Sequence, residues 1–195
     1  MARWRKARDA DKDVSQTSAA DAGAYYYASG ERIPLVRAGD LLAVDLREAG
    51  RSTEVARSLG KAITGAKPLM AGMGLVDVKG LDEAVVETVR LSGLAQPVYQ
   101  TEGATIVVLP EVRVEESRGK KERDSIRTWL SEHGTTLEFE ENEDRFTIRP
   151  RSGQGDDALR LANQIVEQLA PEMAQARFIR VVKRPSTAAP PAAAD

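Results

Sequence analysis

Thr105-Ile106-Val107-Val108-Leu109-Pro110-Glu111-Val112-Arg113-Val114 reads as two strands, Thr105 to Leu109 and Val112 to Val114, interrupted at a proline that cannot donate to a ladder. A helix follows over Ser117 to His133, where Ile126, Trp129, Leu130 and His133 fall at i, i+3, i+4 and i+7 on one face. Gly134 caps it. Leu137 and Phe139 then alternate with Glu138 and Glu140, and Phe146 and Ile148 alternate with Arg145, Thr147 and Arg149. Between these strands Glu141-Asn142-Glu143-Asp144 makes the turn. Asp156 stands where an N-cap would, ahead of a stripe formed by Leu159, Ala162, Val166 and Leu169. Pro171 ends that helix, and Phe178 to Val182 is a last strand. The order over 106–183 is strand, helix, strand, strand, helix, strand. It is the split βαβ, ferredoxin-like order. Such an antiparallel sheet packs one face on two helices and leaves the other open unless a partner covers it.

The first half reads as a looser version of the same order. Ala24-Tyr25-Tyr26-Tyr27 and Ile33-Pro34-Leu35-Val36 flank Ser29-Gly30-Glu31, a β-hairpin with Gly30 in its turn. Leu41 to Leu46 is a short strand. Arg51 to Ala66 is a helix with Val55, Leu59 and Ile63 on one face, stopped before Pro68. Leu75 to Val78 is a strand. Leu81 to Leu91 is a helix with Gly93 just past its end, and Pro97 to Gln100 is a short strand. The expectation is an α+β protein made of two ferredoxin-like units with antiparallel sheets, divided near Glu102-Gly103 and flanked by disordered tails.

Composition bounds the chemistry. The chain has 195 residues, a net charge of -2, one histidine and no cysteine. That excludes a disulfide scaffold, a thiolate zinc site and a cysteine nucleophile. No apolar run approaches the ~20 residues that span a bilayer, and the basic start at Arg3, Arg5, Lys6 and Arg8 is followed by polar residues rather than a signal-peptide core. A cytoplasmic protein without a membrane partner is expected. Residues 1–23 lack an apolar period and read as a disordered tail. Pro185 to Asp195, rich in Ala and Pro, reads the same way.

Three segments together resemble a known family. They are Tyr25-Tyr26-Tyr27-Ala28-Ser29-Gly30-Glu31-Arg32-Ile33-Pro34-Leu35 with Asp40-Leu41-Leu42-Ala43-Val44; Pro97-Val98-Tyr99 with Ile106 to Val114; and Asp157-Ala158-Leu159-Arg160-Leu161-Ala162-Asn163 with Met173 to Ile179. In this order they resemble the long N-terminal propeptides of bacterial subtilisin-like serine proteases. Ala176 stands where that family often has proline. The family's catalytic domain follows the propeptide, whereas nothing follows Asp195 here, so the resemblance implies a standalone inhibitor or folding chaperone for a subtilisin-like serine protease partner. The expected division is a disordered tail over 1–23, a first α+β unit with its hairpin over 24–102, a ferredoxin-like unit over 103–184, propeptide-type by the resemblance, and a disordered tail over 185–195. The resemblance also implies that Val182, Lys183, Arg184, Pro185, Ser186 and Thr187 enter the protease cleft as an extended strand, the mode in which main-chain pairing gives affinity.

Other residues are weighed on chemistry alone. His133 would have to be the base of a Ser-His-Asp triad, but its place in the last turn of a helix is explained by the helix dipole. Gly72-Met73-Gly74 lacks the third glycine or the lysine of a phosphate loop and reads as a loop. Glu140, Glu141, Glu143 and Asp144 read as a solvated turn rather than a cation site. No catalytic residue, metal site or cofactor is expected. Consecutive strand residues face opposite ways, so Tyr25 and Tyr27 belong either to an interdomain contact or to a partner surface, which favours tyrosine. A second reading is a non-catalytic adaptor or structural subunit of a larger assembly, regulatory or defensive. Sheet-face binding of RNA needs aromatic rings on a basic sheet. Phe139, Phe146 and Phe178 could supply rings, but Glu138 and Glu140 flank Phe139, which argues against nucleic acid.

Overall fold

The computed structural model describes residues 23–182 apart from 102, 116–118 and 144. The two tails expected over 1–23 and 185–195 lie outside the described residues, apart from Gly23. Strands β1 (Tyr25–Ala28) and β2 (Glu31–Pro34) form a hairpin turned at Ser29-Gly30. The long β3 (Val36–Asp45) follows. Asp45 caps α1 (Leu46–Ala49), accepting from the backbone N–H groups of Arg47 and Glu48. Ser52 caps α2 (Thr53–Leu59) in the same way. The helix expected over 51–66 is in fact two, because Gly60 adopts φ 49° and ends α2 before α3 (Lys61–Thr64) begins.

The chain continues through β4 (Lys67–Pro68), β5 (Met73–Asp77) and α4 (Glu83–Leu91), capped by Asp82. Then come β6 (Ala95–Thr101), β7 (Ala104–Glu115), α5 (Lys120–Glu132), β8 (Leu137–Glu141), β9 (Arg145–Pro150), α6 (Gly155–Leu169) and β10 (Met173–Val182). Pro110 does not split β7. It sits in an irregularity where Val108 pairs with Phe178 and Val112 with Ala176, so one strand carries extra residues against the other.

The protein is thus α+β, with a separate hairpin and one antiparallel sheet of eight strands, β3 to β10. The strand order is β4-β5-β3-β6-β7-β9-β8, with β10 also paired to β7. A strand has two hydrogen-bonding edges. Since β10 runs along the whole of β7, β6 and β9 share the other edge, on its first and second halves. The sheet therefore crosses the midpoint of the chain without a break.

Alternation along each strand sorts side chains between two faces. Leu42, Val44 and Val76 pack with α1, α2 and α4 around Ala49, Val55, Leu59 and Val89. Ile106, Val108, Val112, Val114, Phe146 and Ile148 pack with α5 and α6 around Ile126, Leu130, Leu159 and Ile165. The hairpin joins this second cluster, not the first, through Tyr26, Ala28 and Ile33. The residues between these, Ala38, Ala43, Met73, Val98, Val107 and Ile179, form a third apolar cluster on the face that carries no helix. At about 25 cal/mol per Å² of apolar surface, these clusters are the main source of stability.

Candidate protein-binding surface

The helix-free face is built from alternate positions of five neighbouring strands. Val98 stands opposite Val107, and Val107 opposite Ile179; Ala43 stands opposite Leu75. The centre of this strip is sealed, with Ala43 and Val107 fully buried. Leu41, Leu69, Leu75 and Leu109 rim it, half-buried, and Val36 lies open at 69% exposure.

Towards β8 the same face turns ionic. Glu111 lies between Arg149 at 3.3 Å, Arg177 at 3.4 Å and Arg113 at 3.6 Å. Arg149 also meets Glu140 at 2.8 Å, and Arg151 meets Glu138 at 3.1 Å. The register places Glu138 opposite Arg149, so these are cross-strand and diagonal pairs of the kind that fix a sheet face. Glu141 belongs to a different set. It accepts from Arg123 and Arg127 of α5, and the Arg127 and Arg123 hydrogen bonds hold its carboxyl down to about 2. The acidic turn is therefore neutralised by arginines in part, and among the described residues no group of acidic or His side chains is arranged to hold a metal ion.

Two polar joints tie distant segments together. At the first, Tyr25 and Tyr27 both donate their hydroxyls to Glu167 Oε1 of α6, at 2.8 and 2.9 Å, and Arg32 donates to the same oxygen at 2.8 Å. The tyrosine hydrogen bonds lead in holding the Glu167 carboxyl below its usual range. Asn163 Nδ2 donates to the Tyr25 carbonyl, while Tyr26 turns inward against Phe178, with ring centroids 5.1 Å apart. The hydroxyls of Tyr25 and Tyr27 are thus engaged within the chain, fastening the hairpin to α6.

At the second joint, Arg37 of β3 and Tyr99 of β6 both donate to Asp156, each at 2.5 Å. Burial pushes the Tyr99 hydroxyl pKa up, and the bond to Asp156 adds to the rise. Asp156 was expected as the N-cap of α6. The cap is Gln154, which makes no side-chain capping bond, and Asp156 lies in the first turn with its carboxylate turned to Arg37 and Tyr99. Beside it Gln96 spans the halves, donating to the Gly153 carbonyl at 2.9 Å and accepting from the Gly155 N–H at 2.8 Å.

The remaining expected positions divide. Val182 ends β10 and is 63% exposed. Lys183, Arg184, Pro185, Ser186 and Thr187 lie outside the described residues. His133 caps α5, stacks on Trp129 with ring centroids 3.9 Å apart, and turns Nδ1 to the Trp129 carbonyl at 2.8 Å, a structural place. Among the described residues no helix is long and apolar enough to cross a membrane. Comparison with family models, with curated proteins and with solved structures found no match.

Proposed function

We propose that this chain is a non-catalytic protein-binding module, propeptide-like, which binds a subtilisin-like serine protease as inhibitor or folding chaperone. The fold reading beneath this is two ferredoxin-like units. The orders β4-β5-β3-β6 and β8-β9-β7-β10 are each the 2-3-1-4 arrangement that a strand-helix-strand-strand-helix-strand chain adopts, joined edge to edge through β6 and β7. The observation that carries the functional reading is the one-sided placement of the helices. One face of the sheet is covered by α1 to α6. The other carries the half-buried Leu41, Leu69, Leu75 and Leu109 around a sealed apolar centre, with an ionic patch beside them, and β10 on its border ends at an exposed Val182, which Lys183, Arg184, Pro185, Ser186 and Thr187 follow in the sequence. A protease would meet the sheet face and receive the segment after β10 in its cleft as a product-like strand.

A second reading, an adaptor in a larger assembly, is favoured by the ionic half of the same face. Charges already paired there are costly to desolvate, which suits a wet, exchangeable contact better than a tight inhibitor seat. The two separate in one experiment. The purified chain is titrated into a subtilisin-like protease freed of its own propeptide, with heat of binding and hydrolysis of a chromogenic peptide followed together. The protease reading expects saturable binding with loss of hydrolysis. Absence of both heat and inhibition would leave the adaptor.

A further inference from the structure

The last strand has an edge whose backbone groups pair with nothing among the described residues, while β1 packs against its helix side through Tyr26. β10 pairs with β7 along one side only, and none of the turn, loop or cap backbone hydrogen bonds among the described residues involves residues 173–182. Edge strands are normally blunted by bulges, prolines or charges. The first half of β10 has such a device in the irregular pairing between Ala176 and Phe178. The second half, Phe178-Ile179-Arg180-Val181-Val182, has neither bulge nor proline, and its one such device is the charge of Arg180. It pairs in unbroken register with β7 from Val108 to Ala104, contains no proline or glycine, and consists of β-favouring residues around one charge.

We propose that the outer edge of Phe178–Val182 is a strand-addition site for an extended segment of another protein that carries an acidic side chain opposite Arg180. This goes beyond the protease reading and does not depend on it. The backbone supplies the pairing, and the side chains say what can be paired. Ile179 and Val181 lie on the helix-free face and ask for apolar neighbours. Phe178, Arg180 and Val182 lie on the helix side, where Phe178 packs on Tyr26 and Arg180 is exposed, 3.5 Å from the Tyr26 hydroxyl.

A second copy of this chain fits less well. Antiparallel self-pairing centred on this segment sets Arg180 opposite Arg180 of the other copy, and like charges directly opposite are destabilising. Shifting the register by one residue turns the apolar residues to the wrong face. An acidic residue in an incoming strand meets Arg180 with the favourable sign instead.

The test uses the full chain and a disulfide-cyclised β-hairpin peptide whose free strand reads Thr-Val-Glu-Val-Thr, pre-ordered so that binding does not bear the whole entropy of extension. Two controls carry Lys in place of Glu, or N-methyl groups on the outward amides. Saturable binding is expected, with slowed hydrogen exchange at the Phe178–Val182 amides. The Lys peptide should be weaker by up to about fivefold, and the N-methylated one by more than about tenfold. Arg180→Glu, at an exposed position, should reverse the preference between the Glu and Lys peptides while leaving the thermal midpoint in place. Equal binding of all three peptides, no binding of any, exchange protection elsewhere than β10, or self-association of the chain through β10 would each overturn the proposal.

Discussion

Gly155, the first residue of α6, lies against the carbonyl of Val108 in β7 so closely that a Cβ there would collide with the carbonyl oxygen and also press on Pro97. The helix starts in direct contact with the two strands that join the halves of the sheet. Gly155→Ala must push α6 off β7 or distort its first turn. Overpacking of this kind costs roughly 1–3 kcal/mol. Equilibrium urea unfolding should show that loss, with the midpoint falling and the slope unchanged. A variant as stable as the parent would mean that helix and sheet are not in contact there.

Trp129 anchors α5 from the opposite side of the core. It is 7% exposed, stacks on His133, and donates Nε1–H to Gln168 Oε1 of α6 at 2.6 Å. Trp129→Ala should cost about 3–5 kcal/mol. Trp129→Phe should cost clearly less, because most of the buried area stays and only the hydrogen bond and part of the ring go. Thermal melts of the two variants side by side check the ranking, and equal losses would contradict it.

One carboxylate oxygen of Glu167 gathers three hydrogen bonds from the hairpin. Glu167→Ala removes the shared acceptor of Tyr25, Tyr27 and Arg32. Arg32 and Glu167 are exposed and the two tyrosines half-buried, and ion pairs and hydrogen bonds so placed contribute little to global stability. The expected result is local: faster amide exchange over residues 25–34 with the thermal midpoint shifted only slightly, because Tyr26 and Leu35 still hold the hairpin in the core. Unchanged exchange over the hairpin would remove Glu167 from this role.

Acid should act in part through Glu141. The hydrogen bonds from Arg127 and Arg123 hold its folded pKa at about 2, below the 4.5 of an unperturbed glutamate. A depressed carboxyl pKa means that the unfolded chain binds the proton more readily, so the stabilising effect is present above 4.5 and is lost as pH falls from there towards 2. Stability measured from pH 6 to pH 2.5 should fall through that window, and less steeply in Glu141→Gln. Parallel pH profiles for parent and variant would discount the Arg127–Glu141–Arg123 cluster.

The sequence made much of the second half legible because its periods are clean. Ile126, Trp129 and Leu130 share a helical face, and Phe146 and Ile148 alternate with charge, so α5, α6, β8 and β9 lie within a few residues of expectation. In the first half the signals are local exceptions. Gly60 breaks a helix that the spacing of Val55, Leu59 and Ile63 joins. Val36-Arg37-Ala38-Gly39-Asp40 carries no alternation, yet it extends β3 because β6 pairs with Val36 and Arg37. The joints were hidden for another reason. Arg37, Tyr99 and Asp156 lie 57 to 119 residues apart, and nothing near Asp156 distinguishes a carboxylate that caps a helix from one that meets an arginine across the sheet. The tyrosine run pointed to a seam or a partner surface, and its hydroxyls are found on Glu167. A signal for the free edge did exist: Phe178-Ile179-Arg180-Val181-Val182 is too apolar for an exposed border.

The central claim, that the sheet seats a subtilisin-like protease and the segment after β10 fills its cleft, is tested most directly by the inhibition constant of the full chain against a form ending at Val182. Residues 183–195 contain no large apolar side chain, so the thermal midpoint should hold within a few degrees. Inhibition should weaken by at least about tenfold, since the main-chain pairing in the cleft and the Lys183 and Arg184 side chains are lost together. Equal inhibition by both forms, or inhibition by neither, would contradict the account.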